Sequence, residues 1–283
     1  MKDKNSSYLK TIFTPGMRVD GMLAKDVDHM QKFIPFMIRK RTEAQIFLNL
    51  QIDLSNTLSY IDKNNLDTSK QKLSLFILLL TAMVRVGVQK PRMNRFIAGK
   101  RIYDRNELNI AFVVKKEISE NGTEIIVKES FNKTDCLQDV AAVVNRLVFS
   151  ARNKKQEVTE PFIKLFVKLP RIITTFFFAV LRLMDYFGLV PLSAMKNDPL
   201  YSSAFVANLG SIGLDSCFHH LYDMGTTSLF IVLGKVKEDL VNIAFTIDER
   251  IADGYYYAKA LELFKHYMEN PWELEKPYEG IEK

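Results

Sequence analysis

The chain is poor in the residues that mark several protein classes. Among 283 residues there are 2 cysteines, 1 tryptophan and 4 histidines, with 12 glycines and 9 prolines. Cys136 and Cys217 form no C-x-x-C and no pair pattern, which excludes a disulfide framework and a structural zinc site. So few glycines and prolines exclude a collagen-like or low-complexity chain. Long apolar runs are missing as well. The stretches Leu73–Val84 and Ile172–Leu181 both end at an arginine, short of the ~20 residues a membrane span needs. The first thirty residues hold no apolar segment of the secretory type. A cytoplasmic setting is therefore expected, and the sequons at Asn5, Asn121 and Asn132 carry no meaning. There is no G-x-G-x-x-G and no phosphate loop, since Gly210-x-x-Gly213 is too short to cradle a phosphate. Charge of one sign is barely in excess: 39 Lys plus Arg against 33 Asp plus Glu, net +6. The bases are spread through every segment rather than gathered in a stripe, so no nucleic-acid partner is expected.

What remains is an ordinary globular composition, 47% hydrophobic and 25% charged. Met30, Phe33, Ile34, Met37 and Ile38 recur at helical spacing after Asp28, a cap residue, with Pro35 as a kink. Gln45–Leu54 alternates and predicts a strand, followed by a short helix through Ile61. Lys70–Val88 is apolar nearly all round and predicts a buried helix. Strands follow at Arg101–Tyr103, Leu108–Lys116 and Glu124–Ser130, the last two joined by the Asn121-Gly122 turn. Asp135 with Gln138 three residues on predicts a capped helix to Arg152, then a polar loop to Glu160. Pro161–Met195 is rich in phenylalanine (Phe162, Phe166, Phe176, Phe177, Phe178) and split by Pro170, with Lys164, Lys168, Arg171 and Arg182 as its bases. The last third predicts strands Ala204–Leu209, Leu229–Leu233 and Leu240–Ile247. The last two are joined at Lys237-Glu238-Asp239, and a helix follows from Asp253-Gly254 to the Asn270-Pro271 stop. The pattern predicts an N-terminal extension over 1–26 and one α/β domain over 27–283 with a mostly shared sheet. A hydrophobic insertion occupies about 156–200.

At the strand-to-helix junction stands Asp248-Glu249-Arg250-Ile251-Ala252-Asp253-Gly254. It resembles the Asp-His-Arg-x-x-Asp-Gly signature of the acyltransferase subunit of 2-oxoacid dehydrogenase complexes and the His-His-x-x-x-Asp-Gly of chloramphenicol acetyltransferases. Val206-Ala207-Asn208-Leu209-Gly210 is similar to the same family's Ile-Ser-Asn-Leu-Gly strand, and Gly213, Phe218 and Gly234 fall where it keeps those residue types. Ile52-Asp53-Leu54 and Pro91-Arg92-Met93-Asn94 resemble two of its earlier segments. The resemblance covers roughly 39–154 and 201–274. It implies a chloramphenicol-acetyltransferase-like two-layer α/β sandwich with a mixed sheet, assembled as a homotrimer with a site at each subunit interface. It also implies coenzyme A or acyl-CoA as a small-molecule thioester substrate, with no covalently bound cofactor; no metal is expected, since the His219-His220 cluster offers too few ligands.

In that family a histidine deprotonates the acceptor and a serine hydroxyl stabilises the tetrahedral oxyanion. Here the histidine position is Glu249 and the serine position Ala207, while the aspartate is kept as Asp253. A general base contributes ~10²–10⁴ in rate and one oxyanion donor ~10²–10³, so two large terms are altered. A carboxylate with an ordinary pKa of ~4.3 is a poor base for a thiol of about 8.5. The other candidate bases are His219 and His220, in the loop after the Ala207 strand, which read equally as polar side chains at a subunit contact. Their adjacency predicts that at most one faces a given site. Asn208 and Arg250 are the candidate substrate-binding residues. Asp253 reads equally as a helix cap, with Gly254 there for a tight approach, and Arg39 or Arg41 is its expected partner. His29 and His266 are expected to be solvated.

Two functions stay open: a stand-alone acyltransferase with an altered site, and a non-catalytic oligomeric binding or scaffold protein of the same fold. The insertion reads either as extra core or trimer packing, which is favoured, or as a peripheral membrane contact through 161–195.

Overall fold

The computed structural model describes residues 18–115, 124–153 and 166–280. The chain runs β1 (Gly21–Leu23), α1 (His29–Met37), β2 (Gln45–Asp53), α2 (Ser55–Leu66), α3 (Leu75–Gln89), β3 (Arg95–Ala98), β4 (Arg101–Arg105), β5 (Leu108–Lys115) and β6 (Glu124–Phe131). It continues through α4 (Leu137–Asn153), α5 (Arg171–Tyr186), α6 (Leu192–Asn197), β7 (Ala204–Asn208), β8 (Leu229–Leu233), β9 (Leu240–Asp248) and α7 (Gly254–Glu269). The Asn121-Gly122 turn, the loop to Glu160, Phe162, Lys164 and the first seventeen residues lie outside the described residues.

Six strands form the main sheet in the order β2-β9-β8-β7-β5-β6. The β5–β7 and β7–β8 pairs are parallel and the others antiparallel, so the sheet is mixed. The expected shared sheet is only partly correct, because β1, β4 and β3 pair separately in a small antiparallel sheet. Neither β1 nor β3 has the alternation that would betray it: both are short, and β3 is buried along its whole length.

Alternation of side chains gives the main sheet two faces. One carries Ile52, Ile110, Phe112, Val206, Ile231, Ile243 and Phe245, and packs under the helices in a single large core. Helix α3 supplies the centre of that core, with every residue from Ile77 to Val86 buried, which is why its sequence has no polar stripe. Ser74 caps it, its hydroxyl accepting from Ile77 N at 3.3 Å. The other face carries Ala111, Phe205, Phe230, Val232 and Ala244 in a second cluster with Leu221.

Local expectations hold or fail for identifiable reasons. Asp28 caps α1, accepting from Gln31 N at 2.8 Å, and Pro35 lies inside that helix. Helix α2 runs on to Leu66 rather than ending at Ile61. Its polar end is held because Asn64 donates to Gln71 O and Asn65 exchanges two bonds with the Leu73 backbone. Asp135 does not cap α4; its carboxylate accepts from Asn132, and Asp139 accepts from Cys136 N instead. Where β7 and β8 end, a Cβ on Gly210 would sit 2.3 Å from Gly234 O, and a Cβ on Gly234 would sit 2.6 Å from Ser216 N and 2.8 Å from Asn242 O. These two separate close approaches explain the two glycines. Helix α5 begins after Pro170 as expected, but none of its residues is fully buried, and it meets only a small cluster through Leu181 and Met184.

Candidate functional site

The segment Asp248–Gly254 turns the end of β9 into α7. Asp248 is fully buried and accepts from Arg250 Nε and Nη2, both at 2.7 Å. Arg41 Nε lies 3.5 Å from the same carboxylate. The two guanidiniums spend their remaining donors on backbone: Arg250 Nη1 on Ile38 O at 3.0 Å, Arg41 Nη1 on Tyr222 O at 2.6 Å and Nη2 on Ile97 O at 3.1 Å. Burial pulls the Arg41 pKa below the ordinary guanidinium value, and the Asp248 charge works against that pull. The Tyr257 hydroxyl donates to Asp248 O and accepts from Ala252 N, and burial raises its pKa. One carboxylate thus ties together the chain after α1, β3, the loop before β8 and α7.

This arrangement corrects two expectations. Arg250 is turned inward and is buried, so it offers no donor to a substrate. Asp253 pairs with neither Arg39 nor Arg41: its Oδ1 accepts from Tyr256 N at 2.9 Å as the α7 cap, and its other oxygen lies 4.0 Å from Arg92. Arg41 belongs to Asp248 because the fold brings the residue before β2 onto the end of its partner strand β9. Glu249 is exposed, and its carboxylate makes no hydrogen bond among the described residues. Gly254 has nothing within 4 Å of where a Cβ would stand, so the tight approach expected there is absent in the single chain.

Ala207 and the histidines belong to the second face of the sheet. Across one row of that face stand Phe205, Phe230, Thr246 and Phe47, which are register partners. The loop from Leu209 to Ser228 folds back over them. His219 lies flat on Phe230, with ring centroids 3.9 Å apart and planes 6° apart, and His220 stacks on His219 at 4.5 Å. Phe218 packs on Phe47 at 5.3 Å. His219 Nδ1 is 2.9 Å from His220 O. A carbonyl only accepts, so Nδ1 carries a proton, and Nε2 is the ring nitrogen that makes no hydrogen bond among the described residues. Thr246 Oγ1 is buried without a partner among the described residues. Ala207 occupies the next row with Val232 and Ala244. Asn208 is taken up locally, its Oδ1 accepting from Ser211 N at 3.1 Å.

Ala207 and Glu249 do not share a site within one chain. Ala207 is level with Ala244, and Glu249 follows five residues later and two strands across. At the rise and spacing of a sheet this separates them by roughly 19 Å. His219 and Ala207 are neighbours on one face; Glu249 and Asp253 stand at the far end. His29 and His266 are both exposed, as expected, and His266 also lies 2.9 Å from Glu273.

The pairing of Asp248 with Arg41 and Arg250 is what sequence reading missed. A signal was available: a carboxylate that directly continues an apolar strand and is followed two residues later by an arginine implies a partner if it is buried. An apolar cavity of about 50 Å³ lies elsewhere, under α3 and α7 among Met83, Leu108, Ile231 and Phe264. Among the described residues no group of three His, Cys, Asp or Glu could hold a metal, and no helix is long and apolar enough to cross a membrane.

No family model matches the chain, and no curated protein matches it. Solved structures do. A probable dihydrolipoamide acetyltransferase from Listeria monocytogenes matches at TM-score 0.54 and 15% identity over 87% of this chain and 94% of that one. The dihydrolipoamide acetyltransferase of Azotobacter vinelandii matches at TM-score 0.56 and 13% identity over 89% and 93%. A chloramphenicol acetyltransferase matches at TM-score 0.53 and 15% identity over 88% and 98%. The chain has the chloramphenicol acetyltransferase-like fold. At such identities the likeness establishes the architecture, an α/β chain with a mixed sheet shared with acyltransferases.

Proposed function

We propose that the protein transfers an acyl group from a coenzyme A-type thioester to a hydroxyl or thiol acceptor, as a homo-oligomer whose site forms between copies. The observation that carries the reading is His219. Its Nδ1–H is fixed on a carbonyl and its ring is clamped between Phe230 and His220, which leaves Nε2 as the oriented ring nitrogen with no hydrogen bond among the described residues. In the proposed step Nε2 takes the proton from the acceptor O–H or S–H. The acceptor attacks the thioester carbon, the C–S bond breaks, and the proton passes to the departing thiolate. An imidazole is the side chain most often used for such proton transfer, ahead of an exposed carboxylate. Glu249 then serves the neighbouring copy as a charged wall of the site, since it stands roughly 19 Å from Ala207 in its own chain. The Azotobacter vinelandii structure was solved to examine a serine, a histidine and an asparagine in catalysis; this chain would run comparable chemistry with His219 and without a serine at 207.

The test follows thiol release from acetyl-CoA with a thiol reagent. Wild type turns over, His219→Ala loses ~10²–10⁴ in rate, and Glu249→Gln loses far less. Equal loss in both variants, or none in His219→Ala, defeats the assignment of the base.

The methyl group at Ala207 favours a second reading, a non-catalytic oligomer that binds the thioester and keeps it. Retention of coenzyme A by the wild type without any thiol release would select that reading.

A further inference from the structure

Helix α5 is held to the body of the protein on one side only. Leu181 and Met184 pack against Val190, Met195 and Tyr201, and Asp185 accepts from Arg18 Nη2 at 3.0 Å. On the other side Ile172, Phe176, Leu183 and Phe187 recur at i, i+4, i+11 and i+15, which places them on one stripe of the helix. They are 84%, 70%, 58% and 64% exposed. Ile173 and Val180 widen the stripe and are also exposed. A contiguous apolar surface of this kind marks an interaction site.

Charge identifies the occupant. From 166 to 197 the bases are Lys168, Arg171, Arg182 and Lys196, and none of them makes an ion pair among the described residues. The single acid in the stretch, Asp185, is already taken by Arg18. Arg171 and Arg182, eleven residues apart, share the polar edge of the helix beside the apolar stripe. At the C-terminal end of α5, Tyr186 O abuts Gly99, whose neighbour Lys100 lies 5.1 Å over Phe36 of α1. Phe33, Phe36 and Met37 of α1 are exposed too. Two copies meeting through α5 would set unpaired cations against cations with no free carboxylate between them. A bilayer rich in anionic headgroups supplies both the negative charge and the apolar layer.

We infer that α5 docks the protein on an anionic lipid surface, lying in the plane of the headgroups with Ile172, Phe176, Leu183 and Phe187 inserted and its basic edge on the phosphates. No residue of this stripe belongs to the proposed acyl site, so loss of either reading leaves the other standing.

Flotation of the full chain decides the matter, using vesicles of phosphatidylcholine alone and of phosphatidylcholine with phosphatidylglycerol in equal parts. At low salt the wild type is expected to float with the anionic vesicles and stay behind with the neutral ones. Phe176→Asp with Leu183→Asp, both exposed and checked for unchanged circular dichroism, should reduce partition at least about 100-fold. Arg171→Ala with Arg182→Ala should reduce it about 30-fold on anionic vesicles. Wild type that fails to float with anionic vesicles at low salt overturns the inference, as does equal flotation of the aspartate variant. So does an aspartate variant that falls to a smaller oligomer by light scattering while the wild type binds no vesicles, which would make the face a subunit contact.

Discussion

Arg250 grips both carboxylate oxygens of Asp248, Nε on Oδ1 and Nη2 on Oδ2 at 2.7 Å each, inside the motif whose middle residue, Glu249, faces solvent. Two arginines, 250 and 41, converge on that one acid and are themselves buried. Removing its charge leaves two desolvated cations without a counter-ion. Asp248→Asn is therefore expected to cost ~3–5 kcal/mol, read as a lowered midpoint in urea denaturation. A loss below about 1 kcal/mol would show that the arginines find other partners.

The sheet, the buried helix and the order of the last three strands were legible because their apolar patterns are strong. From Val241 to Ile247 large apolar residues alternate with Asn242, Ala244 and Thr246, although β9 is buried on both faces from Ile243 on. Lys70–Val88 shows no polar face for the plain reason that α3 has none. The site was legible only as a set of positions. Ala207 and Glu249 were found as departures from a motif, but a motif is linear and says nothing of the two-strand, five-residue offset between them. Arg41 was assigned to the wrong acid since both Asp248 and Asp253 lie within one turn of the motif, and only the β2–β9 register chooses between them. The stacking of His219 on Phe230 depends on a loop that folds back over the sheet, and loops carry no period.

Ala207 stands half-buried one row from His219, on the face where an oxyanion would need a donor. Under the acyl-transfer reading, Ala207→Ser restores a hydroxyl on β7 without changing the strand. Turnover of acetyl-CoA should rise between about 10- and 100-fold, with thermal stability nearly unchanged. An unchanged rate would place the carbonyl oxygen elsewhere.

Lys128 titrates in an unusual range. Its Nζ donates to Met195 O at 2.8 Å and Asp198 O at 3.1 Å, and burial, followed by the nearby Arg105 charge, pulls its pKa down to about 8. In the unfolded chain the amine keeps its ordinary value of ~10.4. Between these two values the unfolded state holds more protons, so stability from this group rises with pH across that window. Compared at rising pH from about 8 to about 10, the wild type should gain stability relative to Lys128→Met, in which nothing titrates at this position. A constant difference would mean that the amine is not desolvated.

The β8–β9 connection asks for left-handed backbone from residues that dislike it. Glu238 and Asp239 have φ of 49° and 61°, and Lys237 and Leu240 close the turn with two bonds of 2.8 Å. Asparagine and glycine suit those two positions in a two-residue turn of this kind. Glu238→Asn with Asp239→Gly should stabilise the fold by ~1 kcal/mol, seen as a rise in melting temperature of about 2 °C. Leu54 N, which donates to Asp239 O at 2.7 Å, keeps its acceptor because only side chains change.

Gly254 is the one motif glycine that its own chain does not require. No atom lies within 4 Å of the space a Cβ would fill, and its backbone is outside the left-handed region that favours glycine. It sits at the start of α7, where alanine is the better helix former by ~0.5–1 kcal/mol. Gly254→Ala should therefore raise the melting temperature of the chain. Under the proposed function that open space beside Glu249 is where a neighbouring copy or the thioester comes close, so the same methyl should weaken coenzyme A binding, measured by titration calorimetry. A variant more stable and equally able to bind would leave the glycine without a task and remove the Glu249 end of the sheet from the site.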